Sequence, residues 1–217
     1  MTDFAAARRN MVEGQVRTAD VTDLRIIAAM LEVPRERFLP AAVAGLAYLD
    51  FDVPLPAAPG RRLLKPMVLS KLIHAGAIKA TDRVLDVGCA TGYGAAILAR
   101  MAAEVVALEE NAALAEMAKA NLSDQPHVSV VNGKLADGWP VGTPYDVILV
   151  EGATEIEPTP LCRQLADRGR LLCILGAGPA AKASVLSRTG DDIGVRHVFD
   201  ATAAVLPGFV KPLEFAF

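Results

Sequence analysis

The chain has 217 residues, 53% of them hydrophobic and 22% charged, with a mean hydropathy of +0.34 and an aromatic share of only 5%. Such a composition is too apolar for a disordered chain and calls for one large aliphatic, alanine-rich core that needs no disulfide or structural metal. Lys plus Arg number 22 and Asp plus Glu 25, a net charge of −3, which excludes a domain held on nucleic acid mainly by charge.

No stretch offers the roughly 18–20 uncharged apolar residues of a membrane-spanning helix; the richest, residues 95–108, carries Arg100 and Glu104. Asp3, Arg8 and Arg9 have no apolar run behind them, which reads against a secretory leader. Cys89, Cys162 and Cys173 form no CxxC pair, so reduced thiols and a cytoplasmic location are expected. His74, His127 and His197 are scattered and build no metal-ligand motif.

Residues 3–17 place Phe4, Ala7, Met11, Val12 and Val16 on one side at helical spacing. A second helix is expected over 22–33, with Thr22 as N-cap and Pro34 as its stop. Residues 34–66 hold six of the 14 prolines, which predicts a long irregular segment, with a helical turn near 41–47. Pro66 suits the first turn of a helix over 67–77. From Asp82 strands and helices alternate: strands at 83–87, 104–108, 128–131, 145–150 and 170–175, and helices at 95–101, 112–121 and 160–166. Short apolar strands separated by helices predict an α/β, doubly wound, mostly parallel sheet covered on both faces. Residues 1–78 are expected to form an N-terminal helical cap and residues 79–217 the α/β domain, in one compact unit. Residues 195–199 and 214–217 are candidate late strands.

The most informative stretch is Val84-Leu85-Asp86-Val87-Gly88-Cys89-Ala90-Thr91-Gly92-Tyr93-Gly94. A strand runs into a glycine turn and then a helix, and the small residues Gly88, Ala90 and Gly92 let a ligand lie against bare backbone. The second strand ends at Glu109, where a carboxylate can accept both hydroxyls of a ribose. A dinucleotide fingerprint would need Gly-x-Gly-x-x-Gly; here the third position is Ala90 and the sixth is Tyr93. Asp86, two residues ahead of the first glycine, can instead meet an ammonium group. The pattern Asp-x-Gly-x-Ala-x-Gly therefore favours S-adenosyl-L-methionine, with S-adenosyl-L-homocysteine as product, over NAD.

Motifs along nearly the whole chain resemble those of the protein-L-isoaspartate O-methyltransferases. They are Met11-Val12-Glu13-Gly14-Gln15-Val16-Arg17, Val33-Pro34-Arg35-Glu36-Arg37-Phe38-Leu39-Pro40, Leu46-Ala47-Tyr48, the cofactor strand and turn, Gly138-Trp139-Pro140 with Pro144-Tyr145-Asp146-Val147-Ile148-Leu149-Val150, and Arg168-Gly169-Arg170-Leu171-Leu172. The resemblance implies a class I S-adenosylmethionine-dependent methyltransferase fold and methyl transfer to the α-carboxylate of isoaspartyl residues in a damaged protein or peptide. It also implies cofactor contacts at Asp86, Gly88, Cys89, Ala90, Gly92, Glu109, Gly133, Lys134, Leu135 and Glu151.

Three places depart from the family pattern. Aligned on Pro66, Arg62 and Leu64 stand where the family has a hydroxyl-bearing Thr-Ile-Ser segment near the acceptor carboxylate, so Arg62 or Lys65 are the candidate replacements, unless both are solvated on a loop. Lys134 stands where the family's Asp accepts from the adenine amine; Lys134 cannot accept, which leaves stacking, with Leu135 against the ring. Glu151 ends the fourth strand, where it either enters the site or turns outward. Three functions follow as expectations: isoaspartyl methyl transfer with rebuilt donors, methyl transfer to another acceptor including a small molecule, or a non-catalytic binding protein that kept the fold.

Overall fold

A computed structural model describes residues 3–212. Helix α1, Phe4–Met11, is capped by Asp3, whose carboxylate accepts from the Ala6 amide. It runs on through a wide turn at Val12–Val16 and a tight one at Arg17–Ala19. Helix α2, Leu24–Glu32, is capped by Asp23 rather than Thr22: the Asp23 carboxylate accepts from the Arg25 amide at 2.9 Å. The proline-rich segment holds two short 3₁₀ turns, Arg35–Phe38 and Ala44–Leu46, and a small hairpin in which β1, Val53–Pro54, pairs antiparallel with β2, Arg62–Leu63. Helix α3, Pro66–Ala75, begins on Pro66 as expected. Its first turn is tied to the loop by Asp52, which accepts from the Lys65 amide at 2.9 Å, and Asp50, which accepts from the Met67 amide at 3.2 Å.

The main sheet has seven strands: β3, Arg83–Val87; β4, Glu104–Glu109; β5, Val128–Asn132; β6, Tyr145–Thr154; β7, Leu165–Leu175; β8, Lys182–Thr189; and β9, Asp192–Asp200. Their order is β5-β4-β3-β6-β7-β8-β9. The pairs from β5 to β7 are parallel and the last two antiparallel. Chain direction across the sheet reverses between β3 and β6, so the ligand crevice of a doubly wound sheet opens at the carboxyl end of β3. Helices α4, Tyr93–Leu98, and α5, Ala112–Asn121, follow β3 and β4.

Two elements differ from the sequence pattern. The helix expected at 160–166 is a single turn, α6, Thr159–Cys162, because Leu165 already pairs with Tyr145 as β7 begins. Strand β8 was not foreseen: Ala183 and Ser184 interrupt its apolar pattern, yet both are buried where β8 pairs β7 and β9. Residues 214–217 lie outside the described residues.

Side chains alternate between two cores. Val84, Val105, Ala107, Val147 and Leu149 face a core shared with α2, α3, α4 and α5. Leu85, Val87, Val106, Leu108, Ile148 and Val150 face the other, closed by Leu135, Leu161, Cys162, Leu206 and Phe209. The second face is thus covered by one helical turn and irregular chain rather than by long helices. The first core runs without a break from Met11 to Ala201.

Arg35 crosses this junction. It is fully buried; its Nε donates to the Ala47 carbonyl at 2.7 Å, its Nη2 donates to the Leu64 carbonyl at 2.8 Å, and its guanidinium lies 4.7 Å from the Tyr93 ring centre. Thr91, in the glycine turn, donates its hydroxyl to the Phe38 carbonyl at 2.6 Å. Arg35→Met should cost about 2–5 kcal/mol of stability in urea unfolding, since two buried carbonyls lose their donor. A loss below about 1 kcal/mol would mean that those carbonyls find other partners.

Candidate active site

The turn after β3 passes through the left-handed region three times, at Gly88 (φ 77°), Ala90 (φ 52°) and Gly92 (φ 95°). Ala90 pays about 1–2 kcal/mol for that conformation, and its amide is held by the Glu109 carboxylate at 2.9 Å. Glu109 is fully buried and saturated with donors. Its Oε2 accepts from Ala90 and from Arg61 Nη2 at 2.6 Å, and its Oε1 accepts from the amides of Glu110 and Asn111 at 3.0 Å each. The same Arg61 Nη2 also donates to the Gly88 carbonyl at 3.0 Å.

Asp86 and Glu151, on neighbouring strands β3 and β6, are both buried, and their four carboxyl oxygens receive no well-formed hydrogen bond from an N–H donor among the described residues; the two carboxyls act on each other instead. Burial pushes the Asp86 carboxyl up to about 7; a hydrogen bond with the Glu151 carboxyl opposes the rise, the Glu109 charge adds to it and Arg61 opposes it. Burial also raises Glu151 well above the usual carboxylate range, reinforced by Asp86 and opposed by Arg35 and Arg61. Glu151 therefore points inward, and it leans on Gly94 so closely that a Cβ there would collide with its carboxyl. Cys89 is fully buried, and burial holds its thiol well above the ordinary range, so it supplies no thiolate at neutral pH.

The other expected residues divide. Gly133 donates its amide to the Glu109 carbonyl at 3.2 Å, beside the site. Lys134 is exposed. Leu135 is fully buried and packs in the second core. Leu64 is buried, 2% exposed, with its carbonyl held by Arg35. Arg62 is exposed on β2 and, among the described residues, donates only to the Asp52 carbonyl at 3.4 Å; Lys65 holds the start of α3 through its amide. The basic side chain that enters the site is Arg61, 7% exposed, which the sequence reading passed over. The usable signal was Glu109 itself, since a carboxylate buried at a strand end demands a cation.

The segment after β9 completes the wall. The Ala153 amide donates to the Ala204 carbonyl at 2.9 Å and the Leu206 amide to the Ala153 carbonyl at 3.0 Å, which zips this segment to the end of β6. Leu206 thereby lies over Gly88, 3.0 Å from where a Cβ would be. Between Leu64, Glu151 and Leu206 only about 10 Å³ remains open. Beside Glu109 a cavity of about 470 Å³ opens, lined by Gly60, Arg61, Glu110, Asn111 and Val205. The donor set fits S-adenosylmethionine: a pair of buried acids for an ammonium, an acid at the end of β4 for a ribose, bare backbone between them, and space for a nucleoside next to it.

The sequence profile of the protein-L-isoaspartate(D-aspartate) O-methyltransferase family matches residues 6–204. The chain is 42% identical to the protein-L-isoaspartate O-methyltransferase of Methylorubrum extorquens (strain PA1) over 191 residues, 88% of this chain and 83% of that one. It is 39% identical to protein-L-isoaspartate O-methyltransferase 1 of Rhodopseudomonas palustris (strain HaA2) over 211 residues, 95% of this chain and 85% of that one. Among solved structures, a protein-L-isoaspartate O-methyltransferase superposes with a TM-score of 0.81 at 24% identity, over 93% of this chain and 66% of that one. A beta-aspartate methyltransferase from Plasmodium falciparum in complex with S-adenosyl-L-homocysteine superposes with a TM-score of 0.75 at 18% identity, over 95% and 99%. These two share the fold.

The acid pair makes stability depend on pH. Both carboxyls have folded pKa values raised above their unfolded ones, so the native state binds more protons in the window between the ordinary carboxylate range and about 7. Stability from this pair is full below that window and falls as pH rises through it. Glu151→Gln should therefore gain stability relative to the unmodified chain between pH 5 and pH 8 in urea midpoints. An equal difference at both pH values would refute the assignment.

Proposed function

The chain belongs to the protein-L-isoaspartate(D-aspartate) O-methyltransferase family and is an S-adenosylmethionine-dependent methyltransferase; from that premise we propose that it methylates a carboxylate on a protein or peptide, of the isoaspartyl class for which its relatives are named, at an acceptor pocket with rebuilt donors. The observation that carries this reading is the convergence of Asp86, the Gly88 turn and Glu109 at the reversal point of the sheet. When bound, S-adenosylmethionine supplies an electrophilic methyl group on a positively charged sulfur.

The chain's own residues do the rest. Asp86 and Glu151 would face the ammonium of the methionine moiety, and Glu109 the ribose hydroxyls. The small residues of the turn keep side chains out of the way. A carboxylate acceptor is ionised at neutral pH and needs no general base; the protein has to strip water from it and aim it. Leu64, buried and fixed through its carbonyl, excludes water but donates no hydrogen bond. A second reading rests on Glu151: a carboxyl beside Leu64 favours an acceptor that brings a proton donor or a positive charge, such as an amine. A cytoplasmic location is supported by three free, buried cysteines, and no described helix is long and apolar enough to cross a membrane.

Transfer of labelled methyl to an isoaspartyl peptide and to an amine-bearing peptide separates the two readings. On the carboxylate reading, Leu64→Ser should raise transfer to the isoaspartyl peptide roughly 10–150-fold, the worth of a hydrogen bond to a charged group at the transition state. An unchanged or lower rate, with transfer to the amine, would sink it.

A further inference from the structure

Arg61 occupies the place on Glu109 that a ribose would take. A carboxylate offers about four acceptor positions, and Glu109 fills them with the amides of Ala90, Glu110 and Asn111 and with Arg61 Nη2. The three amides belong to the glycine turn and the start of α5 and cannot leave without unravelling both. Arg61 is the one donor on a side chain. It stands between the glycine turn and the 470 Å³ cavity, with Nη2 3.3 Å from where a Cβ on Gly88 would be. Its seat is incomplete, for the buried Nε has no hydrogen-bond partner among the described residues. It is carried on a tight turn, where the Arg61 amide donates to the Ala58 carbonyl at 2.9 Å and the Leu55 amide to the Arg61 carbonyl at 3.0 Å, next to strands of only two residues each.

We propose that Arg61 is a specificity-determining gate of the cofactor site: its guanidinium competes with the ribose hydroxyls for Glu109 and has to leave before a nucleoside can bind there. This rests on the S-adenosylmethionine reading above. The competition sets affinity in a predictable direction. Binding breaks a buried hydrogen bond between two charged groups, which is worth roughly a factor of 10–150 in an equilibrium constant. Removing the guanidinium removes that cost and leaves Glu109 in need of donors, which hydroxyls supply.

Isothermal titration of S-adenosylhomocysteine into the full chain, Arg61→Ala and Arg61→Gln tests this, with melting curves on the same samples. Both variants should bind at least tenfold more tightly than the unmodified chain. Each should also melt lower when free and gain more from the ligand. Binding by the unmodified chain as tight as or tighter than by both variants overturns the gate and leaves the cofactor reading standing. No binding by any of the three at millimolar ligand overturns both. Should the variants not fold, nitrogen-15 NMR of the unmodified chain decides: the shielded Arg61 Nε–H should exchange faster with solvent when S-adenosylhomocysteine is added, and an unchanged or slower exchange overturns the gate.

Discussion

The Glu109 carboxylate ties together three distant stretches of chain. It anchors the left-handed Ala90 of the glycine turn, the first amides after β4, and Arg61 from the loop that leads into α3. A charge this deeply buried costs several kcal/mol unless paired and hydrogen-bonded. The loop carrying Arg61 is therefore bound to the sheet by the needs of a strand end, although its six-proline neighbourhood has little regular structure of its own. That pairing places Arg61 at the wall of the remaining cavity, beside the hairpin of β1 and β2.

The same segment supplies a second buried arginine with a different task. Arg35 meets only carbonyls and the Tyr93 ring, so it fastens the N-terminal helices to the sheet without neutralising an acid by contact. Together with Thr91 and the unbroken apolar core, this makes the N-terminal region an integral wall of the site. Movement that admits a ligand is then cheapest in side chains and in the tight turn at residues 58–61, where few backbone bonds have to break.

Much of this was legible in the sequence, for physical reasons that differ by element. Residues 83–87 and 104–109 are apolar runs bounded by turn residues, and a parallel strand buried on both faces leaves that trace. Asp86, the Gly88 turn and Glu109 could be named because a tight turn and a strand end fix their spacing. Strand β8 and the brevity of α6 were hidden because strand pairing, rather than local propensity, decides them. Arg61 was missed beside Arg62 because it ends the tight turn at 58–61 while Arg62 begins β2, so a shift of one position separates a solvated cation from a buried one.

Charge balance gives the arrangement of the site a further logic. Glu109, Asp86 and Glu151 are three acids in one crevice; burial raises Glu151 well above the usual carboxylate range and pushes Asp86 up to about 7. Arg61 is the cation in direct contact with an acid of this group. S-adenosylmethionine carries an ammonium, a carboxylate and a sulfonium, a net charge of about +1 at neutral pH, so its binding would bring the crevice a positive charge equal to that of the Arg61 guanidinium it displaces from Glu109. Methyl transfer would remove the sulfonium charge, and the product would leave the same acids one positive charge short. On the competition inferred for Arg61, that deficit favours the return of the guanidinium to Glu109. On that competition, the ion pair that would impede entry of the cofactor would also assist departure of its spent form.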